Sequence, residues 1–364
     1  FLLFAVQPMF TKMVLPLLGG SPAVWSVAMV FFQSLLLAGY GYAHLSTRYL
    51  TLRVAIVVHL ALFALTAFAL PLGISASVGE PPNSGQELWL IGVFMASVGL
   101  PFFAVSANGP LLQAWFAKSA HPTAHDPYYL YGASNFGSFS ALLLYPVLIE
   151  PLMTLKAQTG AWALGFLLLG GLIALSGVAV LRYPAAAGPA AATRKSEAKA
   201  PAATDYLGWI VLSLVPSGLL VACTAYLSTD VAASPFMWVI PLALYLATFM
   251  VVFRDRLPFS MTVMERLLTL LAGALVLFMF VGEAYLMLSL ALHLSFMTIA
   301  TLICHARLYQ RRPSSEHLTV FYLCMSFGGV LGGLFCGLVA PNVFNRVTEY
   351  PILILGALLC LPSM

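Results

Sequence analysis

PAAAGPAAATRKSEAKAPAATD occupies residues 184–205. It is rich in Ala and Pro, carries a few charges and shows no apolar periodicity, which is the composition of a flexible linker. Working outward, the text on each side is a succession of apolar runs. Six precede it, at about residues 1–19, 23–44, 51–73, 87–108, 128–149 and 160–181. Six follow, at about residues 208–227, 236–253, 263–282, 284–304, 318–340 and 349–362. A helix needs about 20 apolar residues to cross a bilayer, and each run qualifies or nearly does. The sequence therefore predicts an all-α integral membrane protein with about 12 transmembrane helices in two six-helix halves. The halves are residues 1–183 and 208–364, joined by a cytoplasmic linker at 184–207.

Composition agrees. Of 364 residues, 61% are hydrophobic and 8% charged, where soluble domains carry roughly 25% charged residues. A chain this apolar needs a lipid bilayer as its partner. The net charge of +4 implies no nucleic-acid partner, because the basic residues lie in the short loops between apolar runs. The five cysteines form no C-x-x-C pair and mostly lie inside apolar runs, so they read as small buried residues and not as a metal site. No cofactor is implied. Phe1 already lies within an apolar run, so a true start further upstream is expected.

Orientation follows from Lys and Arg. With both ends cytoplasmic, thirteen of the 16 basic residues fall in even-numbered loops or, as Arg53 and Arg266 do, at the run ends that border them. Lys156 and Arg346 fall in odd-numbered ones, and Lys12 lies within the first run. This alternation supports the span count. The bacterial inner membrane is the expected location for such a helical bundle.

The two halves echo each other. SPAVW (21–25) and SPFMW (234–238) open the second and eighth runs, where Ser can cap the helix, Pro suits its first turn, and Trp25 and Trp238 would sit at the outer interface. SNFGSFSALL (134–143) and SFGGVLGGLF (326–335) lie in the fifth and eleventh runs, each after a Tyr-Leu pair. This is a parallel repeat resembling that of the major facilitator superfamily.

Residues 7–45, QPMFTKMVLPLLGGSPAVWSVAMVFFQSLLLAGYGYAHL, resemble the membrane portion of the bacterial fused major facilitator/spermidine synthase-like family. So do residues 317–352, HLTVFYLCMSFGGVLGGLFCGLVAPNVFNRVTEYPI, and Cys304-His305 with the basic loop through Pro313. The resemblance implies a soluble spermidine synthase-like domain after the spans. Nothing in these residues supplies its nucleoside-binding turn: GGVLGGLFCG (328–337) lies within a membrane helix and reads as small-residue packing. The loop HLSTRYLTLR (44–53) also lacks the acid that major facilitator proteins usually pair with arginine there, while Arg254-Asp255-Arg256 holds one at the matching loop.

Polar groups inside a membrane are functional candidates because they are costly. Lys12 is the sharpest, either facing a cavity or paired structurally, with Gln7 on a nearby face. Asn108 is expected to end the fourth run, where Gly109-Pro110 must break or kink the helix. Ser134, Asn135, Ser138 and Ser140 line the fifth run; Ser217, Cys223, Thr224 and Tyr226 mark the seventh. His293 could carry a proton or bond a neighbouring carbonyl, and His59 is a weaker candidate of the same kind. His121 and His125 read as loop residues. The candidate solute-binding set is Lys12, Gln7, Asn135, Ser134 and His293.

No nucleophile–base pair, carboxylate pair or metal cluster appears, so no enzymatic site is expected within these residues. With no acid placed mid-span, a polyamine would find no partners along its path. The scarcity of central charge favours a non-catalytic membrane module, anchoring a spermidine synthase-like domain or serving as an accessory subunit of a membrane complex. The alternative is a secondary transporter of a small anionic or weakly polar solute.

Overall fold

A computed structural model describes residues 1–18, 23–75, 77, 79–82, 84–185, 200–230, 239–253, 260–281 and 286–361. The described chain is helical. Eight helices are long and apolar enough to cross a membrane, and four shorter apolar helices accompany them. In chain order the helices are α1 (Leu2–Val14, continued by a 3-10 turn at Leu15–Leu18), α2 (Ala23–Tyr49), α3 (Leu52–Ala67) and α4 (Gln86–Phe116). Next come α5 (Tyr129–Leu152), α6 (Leu155–Arg182), α7 (Ala203–Asp230) and α8 (Val239–Val252). The last are α9 (Met261–Val281), α10 (Leu286–Gln310), α11 (Ser315–Val343) and α12 (Glu349–Leu359).

Local chemistry sets several boundaries. Thr51 and Thr154 cap α3 and α6, their hydroxyls accepting from the amides of Val54 at 3.5 Å and Ala157 at 3.3 Å. Three π-turns, Met95–Gly99, Tyr145–Ile149 and Phe335–Val339, each end two residues before a proline: Pro101, Pro151 and Pro341. A proline offers no N–H to the carbonyl four residues earlier. Those carbonyls belong to Ser97, Val147 and Gly337, at the centre of each turn, where the helix widens. The motif recurs in α5 and α11, the two helices matched by sequence.

Asn108 does not end α4. The helix is interrupted at Ala107 and resumes from Asn108 to Phe116. Pro110 then falls in the first turn of the resumed segment, where its missing N–H costs little. The Asn108 amide donates to the carbonyls of Val105 at 3.0 Å and Ala104 at 3.4 Å across the interruption. The linker reading also shifts, since residues 203–207 already belong to α7. Residues 186–199 of that linker, Ser21-Pro22, the Trp25 side chain, SPFMW and Arg254-Asp255-Arg256 lie outside the described residues.

The chain forms two compact units. Unit 1 is Phe1–Leu130, Ser140–Ala200 and Pro313–Leu323; unit 2 is Tyr131–Phe139, Pro201–Arg312 and Cys324–Met364. In unit 1, α2 packs on α4 and α3 on α6. Its core is aromatic: Phe94 meets Phe10, Phe31 and Phe32 with ring centroids 5.2–5.5 Å apart, and Phe32 meets Phe102 at 4.8 Å. The start of α11 is part of this unit. Tyr322 donates to Gln113 Oε1 at 2.8 Å, Tyr128 to the Pro313 carbonyl at 3.0 Å, and His44 Nδ1 lies 3.0 Å from Thr319 Oγ1. On α6 Leu155 and Leu169 pack on this core, whereas other leucines face away, with Leu164 70% and Leu175 68% exposed. Such a face suits hydrocarbon and not water.

In unit 2, α10 packs against α7, α8 and α9. The contact of α7 with α11 depends on glycine. A Cβ on Gly328 would lie 2.2 Å from the Ile210 carbonyl oxygen, and one on Gly332 would lie 2.3 Å from that of Leu214. Gly328 and Gly332 are four residues apart and share one face, which is the small-residue packing expected of this stretch. Ser217 donates to the Gly329 carbonyl at 2.8 Å, and Trp209 to that of Arg311 at 3.0 Å.

Candidate functional site

Lys12 and Gln7 lie on α1 in unit 1. Lys12 is in the last turn, and its Nζ is 2.5 Å from Glu150 Oε1 on α5, with side chains 43% and 38% exposed. In the sequence Lys12 reads as an isolated central charge; the structure pairs it and makes the locus neutral. Glu150 follows the π-turn of α5 directly, so that turn helps set where the carboxylate sits. Gln7 spends its amide within its own helix, donating to the Leu3 carbonyl at 3.0 Å, while its backbone carbonyl accepts from Thr11 Oγ1 at 2.7 Å.

His59 is the second polar locus of unit 1. Its ring is fully buried on α3, with Nε2 3.0 Å from Asn108 Oδ1. Tyr42, Phe63 and Trp115 surround it, ring centroids 5.2–5.9 Å away.

Asn135, Ser134 and His293 lie in unit 2. Asn135 is buried and donates to the Tyr131 carbonyl at 2.8 Å, one turn back on its own helix. Ser138 is buried on the same face, whereas Ser134 is exposed. His293 is fully buried on α10, and its Nδ1 is 2.7 Å from Tyr350 Oη on α12. Tyr226 of α7 closes a three-ring cluster, 4.7 Å from His293 and 5.4 Å from Tyr350 between centroids. Its helix neighbour Cys223 is also buried. Elsewhere in unit 2, His305 is fully buried, with Nδ1 2.8 Å from Thr248 Oγ1 and its ring stacked on Phe249 at 3.6 Å.

Sequence reading missed three members of these loci. Tyr350 and the buried Glu349 open α12, and an acid-aromatic-proline triplet at a helix start was the available signal. Glu150 gives no local sign of its partner, since 138 residues separate it from Lys12. His121 and His125 sit in an exposed turn, bonding Thr123 Oγ1 and the Pro122 carbonyl, each at 3.0 Å.

Chemically, these loci offer hydrogen-bond donors, acceptors and ring faces, with one ion pair whose charges cancel. Outside that pair they add the buried carboxyl group of Glu349, next to Tyr350 in the chain. No family model and no curated protein matches the sequence. Among solved structures, the chain is similar to the human organic anion transporter MFSD10 (TETRAN), at 16% identity and a TM-score of 0.52. That match covers 97% of this chain and 85% of the other. It is also similar to the fucose:proton symporter FucP of E. coli, at 17% identity and a TM-score of 0.49, covering 99% and 93%. The chain shares its fold with MFSD10. This likeness overturns the expectation of a non-catalytic anchor or accessory subunit. That expectation rested on the scarcity of central charge, but neutral His, Asn and Tyr side chains provide buried polar groups that a charge count does not register.

Proposed function

We propose that the protein is a secondary transporter of a small, weakly polar solute. The likeness to MFSD10 over 97% of the chain carries this reading. Eight long and four shorter apolar helices support twelve spans in two six-helix halves, 1–183 and 208–364, that rock about a solute site near mid-membrane. The Lys and Arg alternation supports cytoplasmic ends and a bacterial inner membrane. The stretches 7–45 and 317–352 support kinship with the membrane portion of the fused major facilitator/spermidine synthase-like family.

Lys12, Gln7, Asn135, Ser134 and His293 are the residues proposed to meet the solute during the cycle. The pairing of Lys12 with Glu150 favours a solute without net charge, because an anion would have to break that pair. His293, bonded to Tyr350, is the proposed proton carrier. The test is uptake by purified protein in lipid vesicles, comparing a labelled neutral polyol, a carboxylate and spermidine. Saturable uptake of the neutral solute, lost in His293→Gln, is the expected result. Preferential uptake of spermidine would overturn the solute class.

A further inference from the structure

His59 and Trp115 are neighbouring buried rings outside the residues proposed to meet the solute. The amide of Asn108 is fixed by its own bonds: Nδ2 donates to the carbonyls of Ala104 and Val105, which leaves Oδ1 toward His59. An amide oxygen only accepts, so His59 Nε2 must carry the proton. In the neutral ring, Nδ1 is then a bare acceptor. It is buried and has no hydrogen-bond partner among the described residues. Trp115 Nε1 is a donor, equally buried and equally without such a partner. His59 is 0% and Trp115 1% exposed, so bulk water does not satisfy either. Their ring centroids are 5.9 Å apart at 85°, so the two rings are direct neighbours set edge to face. Unsatisfied buried polar groups are rare in folded proteins, and two complementary ones on adjacent rings share one remedy.

We propose that His59 Nδ1 and Trp115 Nε1 together hold one hydroxyl group, which donates to the imidazole and accepts from the indole. The ligand class is a neutral hydroxyl, from a water molecule or from an alcohol-bearing solute. A carboxylate is disfavoured, because it cannot donate to Nδ1. The site lies wholly within unit 1, beside the interruption of α4, with the Tyr42 ring stacked on His59 at 5.9 Å. It does not depend on transport activity.

The experiment is solid-state NMR of the full chain in lipid vesicles, labelled with 15N-histidine and 15N-tryptophan. His59 signals are identified by their loss in His59→Gln. The expected result is an Nε2–H tautomer whose Nδ1 resonance is displaced from the bare-acceptor position and correlates with a hydroxyl proton. The Trp115 indole must correlate with the same hydroxyl, a reading that needs no variant there. Trp115→Phe should move Nδ1 back toward the bare-acceptor position. Correlation with water protons in buffer alone assigns a bound water, and correlation that arises only with glycerol as probe assigns a solute hydroxyl. A bare-acceptor Nδ1 under both conditions, or an Nδ1–H tautomer, would overturn the proposal.

Discussion

In α11 the stretch SFGGVLGGLF brings Gly328 and Gly332 against the carbonyls of α7, whereas the matching SNFGSFSALL lies in a helix that meets its neighbours through rings. Tyr131 of α5 packs on Phe249 at 5.3 Å and on Phe253 at 4.8 Å, and Gly132 keeps an imagined Cβ 3.4 Å from the Phe253 carbonyl. The likeness of the two stretches is real in one respect, the π-turn and proline that follow each. It differs in another, since Gly328 and Gly332 of α11 approach a backbone far more closely than Gly132 of α5 does. Stretches alike in sequence can share a bend without sharing a contact.

The difference can be broken by substitution. Gly328→Ala and Gly332→Ala should cost most, about 1–3 kcal/mol each, because backbone must move to admit the methyl group. Thermal unfolding in detergent would show it, and unchanged transitions would mean that α7 and α11 are not in this contact. Ser217→Ala removes the hydrogen bond to Gly329 and should cost about 0.6 kcal/mol, the average for bonds between membrane helices. In α5, Asn135→Ala should cost about 0.5 kcal/mol, since its amide bonds only its own helix. Lys12→Ala should change stability by less than about 1 kcal/mol, given how exposed the pair is. The Lys12–Glu150 coupling is read from a double-mutant cycle with Glu150→Gln. Gly132→Ala should be silent within about 0.5 kcal/mol. A large loss there, comparable with Gly332→Ala, would erase the contrast between the two helices.

Much of the architecture was legible because membrane helices declare themselves by length and apolarity, and the predicted runs track the observed helices closely. Gly328 and Gly332 were legible for a related reason, as four-residue spacing of small residues has few uses in a membrane helix. The π-turns are present in the sequence as prolines but are hard to read there, because a proline signals a stop more readily than a widening of the helix. Asn108 shows the same ambiguity: Gly109-Pro110 interrupts α4 and lets it resume. Pairings were the least legible. Nothing local in LFAVQPMFTKMVL points to Glu150, and His293 gives no hint of Tyr350. Such contacts depend on which helix faces meet, and hydropathy in membrane helices encodes lipid exposure more strongly than partner choice.

The central claim is that the two halves move as a carrier's do. Thr123 is exposed in unit 1 and Thr262 in unit 2, so both accept spin labels after substitution by cysteine. Electron–electron resonance between these labels, in lipid nanodiscs with neutral and charged solutes supplied in turn, reads that motion whichever solute is carried. A carrier predicts two distance populations whose ratio shifts with a transported solute. One narrow distance, unchanged under every condition, would contradict the transporter account.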